Sequence, residues 1–307
     1  MGVLLHPDED HQAWLAAFRD ALPDVEFRLL DDIGDPAAIV HAVVSRHGAE
    51  LLLNELPNLA AILAMGAGVE QFTGPDSPNV PIVRLVDPGM SDEMATYALS
   101  WIAHFQRRHD AFVELQADGE WKPLPYTAAA DHPVGILGMG NVGRTVGELF
   151  AKAGYPVHAW SRSGGADDWV THFAGPEELD RFLRSVKAVV SVLPSTSSTA
   201  GLMDAARFRA MDDEAVFLNM GRGATVVELD LLAALDAGEL RHAVLDVTAV
   251  EPLPADSPLW RHPKITVTPH IAGYTLIPSA TKVIAANIRR LMNGEAPFPV
   301  YEPARDY

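Results

Sequence analysis

The sequence predicts an α/β fold of two doubly wound parallel sheets, and three observations predict it. From Val134 onward, short apolar runs alternate with amphipathic runs of helical period. The first ninety residues repeat the theme more weakly. A glycine-spaced turn, Gly138-Met139-Gly140-Asn141-Val142-Gly143, stands where the first strong run ends. Apolar runs alternating with helices read as βαβ units on a sheet buried on both faces.

In the stronger half the strand-like runs are VGIL (134–137), PVHAW (156–160), AVVSVL (188–193), AVFLNM (215–220), HAVLDV (242–247) and ITVT (265–268). Helical text lies between several of them: NVGRTVGELFAKAG, PEELDRFLRSV and ELDLLAALDAG. The last carries acids in its first turn and Gly238 where a C-terminal cap belongs. In the weaker half VLLH, VEFRLL, LAAILAM and PIVRLV read as strands of a second, smaller α/β domain. The segment SDEMATYALSWIAHFQRRH (91–109) predicts a helix. Ser91 suits its cap, Asp92 and Glu93 its positive end, and Arg107, Arg108 and His109 its negative end. Met94, Ala98, Trp101, Ile102 and Phe105 form one stripe, which suits a core face or a dimer interface equally. Ile277 opens a last helix, followed by a proline-bearing end. No internal repeat beyond the βαβ theme and no low-complexity segment is present.

Composition narrows the function classes. The 307 residues are 48% hydrophobic, enough for two packed domains. Acids outnumber bases, 41 to 23, for a formal charge of −18, which argues against nucleic acid and anionic membranes as partners. An anionic substrate then needs isolated arginines in clefts. The absence of cysteine excludes disulfides, thiolate nucleophiles and cysteine-ligated metals. The N-terminus, MGVLLHPDEDHQ, lacks the basic flank and long apolar stretch of a signal peptide. The most apolar stretch, LLLNELPNLAAILAMG, is interrupted by Asn54, Glu55, Pro57 and Asn58. The expectation is a soluble cytoplasmic protein.

The glycine turn follows an apolar strand and opens a helix, the context in which such spacing binds a dinucleotide. Gly138 permits a tight turn, Gly140 lets backbone approach a pyrophosphate, and Gly143 lets helix pack on strand. The N–H groups of the helix start, at Asn141 and Val142, then face the phosphates. Such a turn leads, about twenty residues on, to an acid that holds the ribose hydroxyls of NAD. Here that place holds Ser161-Arg162-Ser163. An acid would repel a 2′-phosphate, whereas an arginine forks onto its oxygens and serines donate to them. The reading is NADP (NADPH) in preference, with NAD still possible. The alternative is a solvated surface arginine in a polar loop.

Three further stretches stand at or beyond the ends of strand-like runs, where α/β sheets place ligands: LNMGRG with Arg222, LDVTAVEPLP with Glu251, and TVTPHIAG with His270. Reducing a ketone with a nicotinamide needs a hydride and a proton for the developing alkoxide. A histidine can carry that proton near neutral pH, and a carboxylate on its other nitrogen fixes the tautomer. His270 and Glu251 suit those roles. Arg222 suits the grip on a substrate carboxylate and the polarisation of the neighbouring carbonyl. Metal ligation is not indicated, since no clustered His and acid ligands appear at a useful spacing. His6 ends a strand and is read as structural.

The turn GMGNVG, then NMGRG, DVTAVEP and TPHIAG, in this order, resemble the D-2-hydroxyacid dehydrogenase family. The closer likeness is to its glyoxylate/hydroxypyruvate reductase A subgroup. MGAGVE (65–70), PIVRLVDPGM (81–90), WKPLPYT (121–127), HAWSRS (158–163) and DSPLWRHP (256–263) are similar to that subgroup. The resemblance covers nearly the whole chain. It implies a Rossmann coenzyme domain (93–274) inserted in a smaller flavodoxin-like substrate domain (1–92 and 275–307). It implies Arg222, Glu251 and His270 as the catalytic set. It implies that backbone N–H groups of Gly66, Ala67, Gly68 and Val69 hold the substrate carboxylate beside Arg222. Asp246 and the backbone near Met220 and Gly221 would meet the nicotinamide carboxamide, and Leu193, Pro194 and Thr199 would lie along the adenosine side. Helix 91–109 would join two subunits of a homodimer, and Trp121 would reach toward the partner's cleft. The two domains would close on the ligand and exclude water.

One stretch departs from the subgroup. Where an aromatic residue and prolines are usual, this chain has Val43-Val44-Ser45-Arg46-His47-Gly48. Arg46 either faces solvent or adds a cation suited to a larger or second-carboxylate-bearing keto acid. The expected activity is NAD(P)H-dependent reduction of a small 2-keto acid, glyoxylate or hydroxypyruvate, to the D-2-hydroxy acid. The alternatives are a reductase of phenylpyruvate, branched or phosphorylated keto acids, or a non-catalytic nucleotide-sensing module.

Overall fold

The computed structural model describes residues 2–45, 55–73 and 78–302. Arg46 lies outside them. The chain divides into two compact units, one of residues 1–90 and 275–307, the other of residues 91–274. The second unit is therefore an insertion in the first.

Among the described residues the first unit holds five parallel strands, β1 (Gly2–His6), β2 (Glu26–Leu29), β3 (Ile39–Val44), β4 (Ala61–Ala64) and β5 (Ile82–Val83), in the order β2-β1-β3-β4-β5. This is the flavodoxin-like order. Its strands alternate as a sheet covered on both faces must. Val3 and Leu5 of β1 join the cluster of Phe18, Phe27, Leu63 and Ile284, while Leu4 joins that of Ile62 and Phe72. Helix α1 (His11–Ala21) contributes Trp14, Leu15 and Phe18 to the first cluster.

The second unit holds seven strands: β6 (Val134–Leu137), β7 (Val157–Ser161), β8 (Val170–Ala174), β9 (Ala188–Ser191), β10 (Val216–Asn219), β11 (His242–Leu245) and β12 (Ile265–Val267). All pairings are parallel, in the order β12-β11-β10-β9-β6-β7-β8. The topological reversal lies at β6, the strand that leads into the glycine turn. In β10, Val216 and Leu218 face one cluster with Ile136, Val146 and Phe150, and Phe217 faces the other with Phe182 and Phe208.

Three sequence expectations are corrected. The second sheet has a seventh strand, β8, where six runs were expected. It is an edge strand with exposed Thr171, so its apolar signal is thin. In the first sheet β3, IVHAVV, was not among the strand-like runs. Its His41 interrupts the pattern although the side chain is buried. The helix expected at 91–109 begins earlier and ends earlier, as α2 (Pro88–Gln106). Proline fits a first helical position because its ring presets the backbone angle. Asp87 Oδ1 accepts from the Gly89 N–H at 3.0 Å, so Asp87 takes the place assigned to Ser91. Arg108, in the left-handed region at φ 62°, separates α2 from a new helix, α3 (His109–Ala117).

Of the α2 stripe, Ala98, Ile102 and Phe105 are buried against the second sheet, and Met94 and Trp101 pack at its margin. Helices α4 (Asn141–Lys152), α5 (Gly175–Arg184), α6 (Ala205–Ala210) and α7 (Glu228–Ala237) complete this unit. Gly238 closes α7 at φ +71°, a conformation that costs a side-chain-bearing residue strain. Helix α8 (Ile277–Met292) belongs to the first unit and buries Ala280, Ile284 and Ile288.

Candidate active site

The glycine turn connects β6 to α4. Gly138 adopts φ +104°, and its N–H donates to the Trp160 carbonyl at 2.9 Å, tying the turn to the end of β7. A Cβ on Gly143 would lie 1.9 Å from the Gly138 carbonyl oxygen, so only glycine permits this approach of helix to strand. A Cβ on Gly140 would meet nothing within 4 Å. That leaves space where a pyrophosphate would approach. No side chain caps α4, so its first N–H groups, including those of Asn141 and Val142, are offered to an anion.

At the end of β7, Ser161 Oγ donates to the Gly164 carbonyl at 3.3 Å, and Arg162 and Ser163 are exposed. Arg162 forms no ion pair with a described residue. The loop beyond is fastened to α4. Arg144 grips both Asp167 oxygens, at 2.9 and 2.7 Å, and the guanidinium holds that carboxyl below its usual range. The Trp169 ring sits where a Cβ on Gly147 would come within 3.1 Å of it. These fastenings were not legible in the sequence. On the adenosine side expected by resemblance, the Leu193 side chain is buried in the core, and the Thr199 hydroxyl donates to the Pro194 carbonyl at 2.6 Å.

Beyond β10 the chain turns through Met220, Gly221 and Arg222. Asn219, fully buried, closes this turn: its Nδ2 donates to the Arg222 carbonyl at 3.1 Å and its Oδ1 accepts from the Gly221 N–H at 3.2 Å. The Thr225 hydroxyl also donates to the Arg222 carbonyl, at 2.7 Å. The Arg222 guanidinium donates to the Gly221 carbonyl at 2.8 Å. Met220 is buried, and Gly221 lies against the Leu193 backbone, where a Cβ would come within 2.5 Å of an oxygen.

The neighbouring loop follows β11 and lies against the first. A Cβ on Gly223 would lie 2.0 Å from the Thr248 backbone. The Thr248 N–H in turn donates to Glu251 Oε1 at 3.2 Å. The other oxygen, Oε2, is 2.7 Å from His270 Nδ1. A contact chain thus runs from the turn of Arg222 through Gly223, Thr248 and Glu251 to His270. An ionised carboxylate only accepts, so Nδ1 carries the proton and Nε2 is directed elsewhere. The two side chains are 26% and 29% exposed, so a small molecule can reach them.

His270 has φ +57°, an uncommon conformation for a residue with a side chain. Asp246, at the end of β11 and 2% exposed, holds it there. Its carbonyl accepts from the His270 N–H at 2.9 Å. Its Oδ1 accepts from the Ile271 N–H at 2.9 Å and the Thr268 hydroxyl at 2.6 Å, and its Oδ2 from the Ala272 N–H at 2.9 Å. Oδ2 therefore keeps accepting capacity unused by the described residues. Asn219, Thr225 and Thr268 were not singled out from sequence. Their only signal there is that each lies within three residues of a candidate.

In the first unit, the loop Gly66-Ala67-Gly68-Val69 follows β4. Gly66, Ala67 and Gly68 are half-buried, and the Thr275 hydroxyl donates to the preceding Met65 carbonyl at 3.0 Å. A Cβ on Gly66 would meet nothing within 4 Å.

The fold and this cluster define a class: a nicotinamide-dependent oxidoreductase built on a Rossmann sheet. The chain belongs to the D-isomer specific 2-hydroxyacid dehydrogenases. The model of that family's NAD binding domain matches residues 99–272. Glyoxylate/hydroxypyruvate reductase A of Escherichia fergusonii is 39% identical over 300 residues, 95% of each chain. A D-isomer specific 2-hydroxyacid dehydrogenase of Xanthobacter autotrophicus Py2, solved with NADPH and MES, superposes with a TM-score of 0.93 at 36% identity, covering 100% of this chain and 99% of that one. An NADPH-dependent glyoxylate/hydroxypyruvate reductase of Sinorhizobium meliloti, solved with NADP and sulfate, gives 0.92 at 32% identity with the same coverage.

Proposed function

We propose that this dehydrogenase reduces small 2-keto acids, glyoxylate and hydroxypyruvate foremost, to D-2-hydroxy acids, with NADPH as the preferred reductant. The observation that carries the reading is the 2.7 Å contact of His270 Nδ1 with Glu251, on a loop packed against the turn of Arg222. Relatives named as glyoxylate/hydroxypyruvate reductases supply the substrate class, and those solved with NADPH or NADP supply the cofactor.

When bound, the reduced nicotinamide supplies a hydride to the keto carbon. His270 Nε2 donates the proton that the developing alkoxide requires. Glu251 fixes the tautomer and stabilises the imidazolium before transfer. Arg222 pairs with the substrate carboxylate, and its charge favours the polarised carbonyl. The N–H groups of Ala67 and Gly68 are further substrate-binding donors. Gly138, Gly140, Asn141, Val142 and Gly143 would hold the pyrophosphate of the bound cofactor, and Asp246 would meet its carboxamide. Ser161, Arg162 and Ser163 read the 2′-phosphate, which suits an exposed guanidinium without an ion-pair partner among the described residues. Fully exposed Trp121 fits the homodimer that the family resemblance implies, in which it reaches a second subunit.

A keto-acid panel with both cofactors tests the reading. NADPH absorbance is expected to fall with glyoxylate and hydroxypyruvate faster than with phenylpyruvate or branched acids. Arg162→Ala is expected to lower the ratio of kcat/KM with NADPH to that with NADH by about tenfold or more, the size of a charge-assisted contact. No turnover with any keto acid, while NADPH still binds, would favour the nucleotide-sensing alternative.

A further inference from the structure

We infer that Tyr97 is a positioning residue for the His270 turn, acting through Thr268 and Asp246. The inference rests on the reading of His270 as proton donor. Tyr97 lies half-buried on α2, and its hydroxyl is 2.6 Å from Thr268 Oγ1. Thr268 Oγ1 lies 2.6 Å from Asp246 Oδ1. The polarity of this chain is fixed. A carboxylate only accepts, so the single threonine hydrogen goes to Asp246, and Tyr97 must donate its own to the threonine oxygen. Burial pushes the Tyr97 phenol up to about 12, so it keeps that proton throughout the neutral range. The Trp101 ring, edge-on at 6.3 Å, restricts the tyrosine.

Asp246 is buried, and no lysine or arginine among the described residues pairs with it. Its charge is held by neutral donors alone: the Thr268 hydroxyl and the Ile271 and Ala272 N–H groups. Each donor therefore matters more than it would beside a cation, and hydrogen bonds in such a chain strengthen one another. The same carboxylate holds the Thr268 side chain before His270 and the Ile271 and Ala272 N–H groups after it, and the left-handed conformation of His270 persists only where its surroundings enforce it. Tyr97 orients the threonine, the threonine orients the carboxylate, and the carboxylate sets the backbone that aims the imidazole.

The test uses the full chain carrying Tyr97→Phe. We expect kcat with glyoxylate to fall about 3- to 10-fold, the effect of one hydrogen bond, with both KM values within about twofold of wild type. In the ligand-free protein, amide exchange at Ile271 and Ala272 should rise while β6 amides stay unchanged. Thr268→Val should cost about 10- to 100-fold in kcat, Thr268→Ser should restore most of it, and Tyr97→Phe should add nothing in the Thr268→Val background. Wild-type kcat and exchange in Tyr97→Phe would overturn the inference. So would additive losses, or a rise in exchange spread evenly over the unit. His270→Ala is the control. If it stays active, the reading of His270 fails, while the exchange data still decide whether Tyr97 anchors the turn.

Discussion

The turns that carry Arg222 and His270 are held by buried polar residues at the ends of adjacent strands, yet by different chemistry. Asn219 ends β10 and closes a turn of its own chain neighbours, accepting from the Gly221 N–H and donating to the Arg222 carbonyl. Asp246 follows β11 and grips a turn more than twenty residues further along, where Thr268, Ile271 and Ala272 offer it three donors and no acceptor. An amide has one face of each kind, and a carboxylate accepts only. Each residue thus matches the polarity of the turn that it holds. An isosteric exchange of one for the other conserves shape and reverses that match.

The largest effect is expected from Asp246→Asn. Its new NH2 group must face either the Thr268 hydroxyl and Ile271 N–H or the Ala272 N–H, leaving buried donors against one another. We expect kcat/KM to fall about 100-fold or more and stability to drop by about 1–3 kcal/mol, the cost of a buried unsatisfied donor. Steady-state kinetics and urea unfolding check both. Asn219→Asp is expected to cost less in turnover, about 10- to 100-fold. It removes one donor from the Arg222 carbonyl, which keeps the Thr225 hydroxyl. If Arg222 holds the substrate as proposed, rather than moving a proton, its signature should be a raised KM for the keto acid. If both exchanges cost the same in kcat and KM, the two turns do not differ as described.

A smaller effect tests the opposite end of β11. Its first residue, His242, is largely buried, which depresses its pKa from 6.5 to about 4. The unfolded chain therefore takes up the proton first as pH falls. His242 stabilises the native state fully above about pH 6.5, and that contribution is lost on acidification toward pH 4. The melting temperature should decline over this window, and His242→Gln should flatten the decline. An unchanged slope would mean that other groups, His132 among them, dominate acid sensitivity.

The strands were legible where apolar runs are buried on both faces, as in VGIL and AVFLNM. They were obscure where a sheet edge or a polar residue thins the signal, as in β8 and β3. The glycine turn was legible because Gly143 must lie against Gly138, a requirement that spacing alone expresses. Motif order located Glu251 and His270, whose contact spans only 19 residues. The supports of those groups were not legible. Tyr97 and Thr268 are 171 residues apart, and nothing local in an amphipathic helix marks one tyrosine as a hydrogen-bond donor to a distant turn. The start of α2 was misplaced because Ser91 and Asp87 both suit a cap, and only the backbone decides between them.

The most direct measurement is the turnover of His270→Ala with glyoxylate, read alongside NADPH binding by fluorescence. If His270 delivers the proton, kcat should fall about 10²–10⁴-fold while the dissociation constant for NADPH is unchanged. Turnover near the wild-type rate would contradict that role, and with it the pairing of Glu251 and Arg222 around a bound keto acid.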